Sequence, residues 1–107
     1  MTPKTKDKGL VYGEVNSESS LRDVFKAIRR DVEEAKSRDG LTELYRRSGY
    51  LVTLTRSPSW KKKFGGTEAD ELMEVGENEF TRTARAVNAR ARDIGTVADY
   101  DETWGES

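Results

Sequence analysis

The clearest periodic signal in the chain starts near residue 20. Leu21, Val24, Phe25, Ile28, Val32 and Ala35 recur at helical spacing, with Arg22, Arg29, Arg30, Glu33, Glu34 and Lys36 between them. Such spacing puts one apolar stripe on a helix and leaves the other faces polar. The pattern predicts an amphipathic helix capped by Ser20. It should end at Asp39-Gly40, where glycine can take the left-handed conformation that commonly closes helices.

Residues 41–55 carry two overlapping patterns. Leu41, Leu44, Tyr45, Ser48, Leu51, Val52 and Thr55 fit one helix face, but Tyr50-Leu51-Val52-Thr53-Leu54-Thr55 is also a run of β-branched and aromatic residues suited to a strand. The strand needs Gly49 to close a preceding helix and residues 10–15 as its partner, and a lone two-stranded ribbon is marginal. Helix is therefore the preferred reading. Ser57-Pro58 then opens a short helical turn through Phe64, because serine caps well and proline suits the first helical position.

Thr67-Glu68-Ala69-Asp70 resembles a capping box and opens the last helix, with acids in its first turn where the macrodipole favours them. Ala69, Leu72 and Met73 are followed by Phe80, Ala84, Val87, Ala91 and Ile94, stepping by four and three like a heptad seam. Gly76 is expected to interrupt or bend this helix, and Gly95 to end it. The fold class expected is all-α, a small three-helix bundle with an extra short helical turn and polar tails. The alternative is α+β with a two-stranded ribbon from 10–15 and 50–55. Three regions follow: a basic, mobile arm at 1–9 with Lys4, Lys6 and Lys8; one helical domain at 10–95; and an acidic aromatic tail at 96–107.

Composition narrows the function classes. The 107 residues contain no Cys and no His, which removes disulfides, thiolate chemistry, the commonest general base and the commonest metal ligand. Charged residues make up 36% of the chain, and only twenty residues are Leu, Ile, Val or Phe, so the core is small and a large ligand cavity is not expected. No apolar run is long enough to span a bilayer and residues 1–8 lack the core of a signal peptide, which makes the cytoplasm the expected compartment and a membrane role unexpected. No P-loop, dinucleotide-binding or nucleophile-elbow motif is present.

The net charge of −1 conceals blocks. Residues 44–66 hold Arg46, Arg47, Arg56, Lys61, Lys62 and Lys63 with no acid, interleaved with Tyr45, Tyr50, Trp60 and Phe64. Cations that displace counterions and aromatic faces that stack on bases are what a nucleic-acid surface uses, and the same charges suit an acidic protein. The bland reading is a solvated face over core aromatics. A second stripe, Arg82, Arg85 and Arg92, lies on one side of the last helix, with Arg90 nearby; it could equally complement the helix dipole and pair with acids of the first helix. Between Thr67 and Glu79 stand six acids and no base, with Asp70, Glu74 and Glu77 on one face. They could hold a divalent cation or do acid–base work, but a solvated helix start accounts for them more simply. Tyr100 and Trp104, four apart among acids, have the spacing of anchors that dock into a groove. The tail has three readings: it docks on a partner; it folds back, sets its acids against the 44–66 block, covers an apolar patch with Trp104 and competes with an acidic ligand there; or it is simply disordered.

The leading expectation is a small, non-enzymatic interaction or regulatory protein with a protein partner, a homodimer through helix 68–94 being one form. A nucleic-acid-associated module comes second and a carboxylate enzyme third. No catalytic residue, metal site or cofactor is expected.

Overall fold

The computed structural model describes residues 15–104. Within them the chain is all-α: α1 (Glu18–Glu34), α2 (Arg38–Thr55), α3 (Pro58–Phe64) and α4 (Gly66–Asp93). No strand occurs among the described residues. The long α4 packs against each of the other three helices, so the bundle is organised around it. The basic arm and residues 10–14 of the alternative ribbon lie outside the described residues, whereas Val15 is buried in the core.

The first helix buries the expected stripe, with Leu21, Phe25 and Ile28 fully enclosed and Val24 and Val32 nearly so. Its ends differ from expectation. Ser17, not Ser20, is the cap: its hydroxyl accepts from the Ser20 N–H at 3.1 Å. Ser20 sits three residues later and its own hydroxyl accepts from the Ser17 N–H at 3.0 Å, completing a reciprocal capping box in which serine does the work usual for Glu or Gln. The helix ends at Glu34, and Asp39-Gly40 belongs to the first turn of α2, whose cap Ser37 accepts from the Gly40 N–H at 3.1 Å. A serine able to start a new helix at once outcompeted the glycine as a boundary.

Residues 50–55 are helical. Leu51, Val52 and Thr55 join Leu41, Leu44 and Ser48 on one buried face, while Tyr50 and Thr53 point to solvent. The β-branched residues tolerate this because tertiary burial outweighs weak intrinsic propensity. Their hydroxyls are satisfied within the helix, Thr53 donating to the Gly49 carbonyl and Thr55 to that of Val52. Ser57 and Pro58 open α3 as the sequence predicts.

The capping box at Thr67 does not form. Gly65, with φ of +81°, ends α3 and begins α4 in a single residue, and no side chain caps the new helix. Gly76 does not interrupt α4, which runs unbroken from Gly66 to Asp93. It is buried where α2 crosses, and a Cβ there would lie 3.4 Å from Thr55 Cγ2 and 4.0 Å from the Val52 Cα. A methyl group therefore just fits, and a larger side chain meets backbone. Gly76→Ala should stabilise the domain by about 0.5–1 kcal/mol through helix propensity. Gly76→Leu should cost about 1–3 kcal/mol by overpacking. Chemical denaturation of the two variants checks both signs.

The seam residues Phe80, Ala84, Val87 and Ala91 are at most 2% exposed and lie in the chain's own core, so they are not a face for a second copy. An apolar seam is taken up by whichever helices reach it first, and α1 and α2 are tethered to it.

Candidate functional site

The basic segment 44–66 divides once it is folded. Trp60 is 8% exposed, with its ring 4.9 Å from that of Phe64, so the aromatic residue expected to stack on a ligand belongs to the core. Arg56, at the end of α2, pairs with Glu77 of α4. Arg47 is half-buried. Arg46 and Lys61, Lys62 and Lys63 are exposed, and none of the four has a carboxylate partner among the described residues; Lys63 lies 5.3 Å from the Phe64 ring centroid. Tyr50 is 51% exposed, one of two large hydrophobic side chains left to solvent among the described residues. Arg46 and Tyr50 are one turn apart on the outer face of α2, because the inward positions 44, 48, 51, 52 and 55 fix the helix rotation.

On α4, Arg82, Arg85 and Arg92 are exposed, whereas Arg90 turns inward and donates from Nε to the Ala35 carbonyl at 3.0 Å, satisfying a group at the end of α1. The expected pairing with acids of the first helix is reversed. Arg22 and Arg29 of α1 converge on Glu79 of α4 at 3.2 and 2.8 Å. Glu79 is 3% exposed, so the six-acid block is not wholly a solvated helix start. Periodicity hides such a residue, because a charged side chain at a core position reads as surface until its partners are known. Among the described residues no three carboxylates converge to hold a metal ion. An open groove of about 510 Å³ between the start of α1 and the α3–α4 junction has Glu18, Glu68 and Glu71 as its charged walls. That polarity is wrong for an acidic ligand.

The tail folds back. The α4 helix closes on Gly95 (φ +79°), with the Thr96 N–H bonded to Ala91 and that of Gly95 to Arg92. The chain then crosses α2 and α4. The Tyr100 ring stacks on Tyr45 with centroids 4.4 Å apart, Tyr45 lies 5.4 Å from Phe80, and Trp104 meets Phe80 edge-on at 5.5 Å. Four rings thus form a ladder, with tail residues at its two ends. The Asn88 side-chain amide donates to the Tyr100 carbonyl and accepts from its N–H, both at 3.0 Å, and also donates to Glu102. The Tyr45 hydroxyl donates to the Asp101 carbonyl at 3.0 Å, and Thr42 and Tyr100 share a hydrogen bond between hydroxyls. Burial, then the charges of Asp101 and Tyr100, push the Tyr45 phenol above its ordinary value, keeping it a donor through the neutral range.

Among the described tail acids, Asp99, Asp101 and Glu102, none forms an ion pair with Arg46, Arg56 or Lys61 to Lys63, the cations the fold-back reading expected them to meet. Glu102 reaches Arg85 of the second stripe at 3.5 Å. Tyr100 and Trp104 are both half-buried against the chain's own helices, not presented as free anchors. Asn88 had no assigned role in the sequence; its one legible mark is its place beside Val87 on the inward side of the last helix. No helix among the described residues is long and apolar enough to cross a membrane. No known protein-family model matches the chain, and no curated protein or solved structure is significantly similar to it.

Proposed function

We propose that the protein is a small, non-enzymatic helical interaction module that docks on an acidic surface of another protein through Arg46, Tyr50 and Lys61 to Lys63. The observation that carries this reading is that these cations are exposed without carboxylate partners, with half-exposed Tyr50 one turn from Arg46, while neighbouring Trp60 and Arg56 are used internally. Aromatic residues among cations, with a polar rim, are a composition that protein interfaces favour. A nucleic acid is the second reading of the same charges. It is weakened because Trp60, the best stacking residue of the segment, is in the core.

The test is a pull-down from source lysate with the wild-type chain and with Lys61→Glu/Lys62→Glu, each with and without nuclease. A partner that survives nuclease and is retained at least ~10-fold less by the variant is the expected result; as exposed positions, the two lysines should change stability by no more than about 0.5 kcal/mol. Partners kept equally by both chains would overturn the reading. Loss to nuclease, with a steep dependence of binding on salt, would transfer it to nucleic acid.

A further inference from the structure

Residues 96–104 are held the way a protein holds a foreign peptide. The segment has no regular secondary structure, yet one side-chain amide, Asn88, reads both backbone groups of Tyr100, two aromatic rings seat on Tyr45 and Phe80, and Arg85 meets Glu102. Side-chain pockets combined with backbone hydrogen bonds are the usual means of peptide capture. The attachment is also separable from the helix. The last carbonyls of α4 are closed by Gly95 and Thr96 before the segment crosses the bundle, and Val97 in the connection is 76% exposed. Residues 97–104 can leave without breaking a backbone hydrogen bond of α4, because the last closing contact is made by the Thr96 N–H.

We propose that the α2–α4 face beneath residues 96–104 is a peptide-binding groove. Its partner ligand is a non-helical acidic segment with two aromatic residues four apart, and the chain's own tail is its competitor in cis. The occupant follows from what the groove already holds: Tyr100 and Trp104 at that spacing, with Asp99, Asp101 and Glu102 around them. It follows too from the charge beside the groove, where Arg85 meets Glu102 and Arg92, one turn from Asn88 on the same helix, lies exposed. A tethered tail acts at an effective concentration on the order of millimolar, so an external peptide meets a mostly occupied site until the tail is displaced. The groove uses neither Arg46 nor Lys61 to Lys63, so this proposal stands apart from the basic-face reading.

The probe is a fluorescein-labelled peptide of residues 96–107, titrated by anisotropy against the full-length wild-type chain and full-length Tyr100→Ala/Trp104→Ala. The variant should bind the peptide at least ~10-fold more tightly than wild type, because its own tail no longer fills the groove. Adding Asn88→Ala should abolish the gain, and adding Lys61→Glu/Lys62→Glu should leave it intact. Equal affinity for the two chains overturns the proposal, as does binding that ignores Asn88 or depends on the lysines. Loss of helical circular dichroism in the tail variant also overturns it, because the segment would then be a structural part of the domain and not a displaceable ligand.

Discussion

Phe80→Ala should lower the unfolding free energy by about 3–5 kcal/mol, a large part of the 5–15 kcal/mol typical of a small domain. Phe80 is 2% exposed in the middle of α4, and its ring touches both Tyr45 of α2 and Trp104 of the tail. Truncation removes its own transfer energy and leaves a hole that three separate segments would have to close together. Relaxation should therefore be poor and the cost toward the upper end. Trp104 loses its seat in the same step. Urea titration followed by far-ultraviolet circular dichroism and by tryptophan fluorescence checks both effects. A loss below about 1 kcal/mol would contradict the packing of α4 described above.

The second large effect concerns the buried carboxylate, and its direction is the informative part. Arg29→Met should cost about 3 kcal/mol, because it leaves Glu79 buried with only Arg22, whose side chain is 44% exposed, to balance it. Thr83 also loses the guanidinium that donates to its hydroxyl. The converse change, Glu79→Met, should cost about 1 kcal/mol or less. Both arginines can extend their charged ends to water, and an apolar side chain fits a buried position. If the ion pair were a simple favourable contact, the two substitutions would cost the same. Denaturation midpoints of the two variants, compared at equal m-value, decide between these accounts.

Helix positions were legible in the sequence because amphipathic spacing is a local property. The stripes 21–32, 41–55 and 69–91 each became one buried face, and Phe25, Ile28, Val32, Phe80 and Val87 are the shared core that the spacing implied. Boundaries were less legible. Several serines and glycines compete for each junction, and the winner depends on which new helix can start at once, as Ser37 and Gly65 show. Exposure within the basic segment was only partly legible. Lysines 61 to 63 are at the surface as expected, but Trp60 is not, because with few large apolar residues in the chain this domain uses its aromatic side chains to fill the core.

The sequence by itself determined the fold class, the helical faces, the small core and the blocks of opposite charge. These follow from composition and from repeats within a few residues. Only the tertiary structure decided which charges stay free, that Glu79 is enclosed by two arginines from a helix some fifty residues away, and that the tail lies on Tyr45 and Phe80 instead of against the lysines. Each of these is a choice among distant partners of similar chemistry. It is made by helix rotation and crossing, which place Asn88 and Arg85 under the tail and leave Arg46 and Tyr50 facing water.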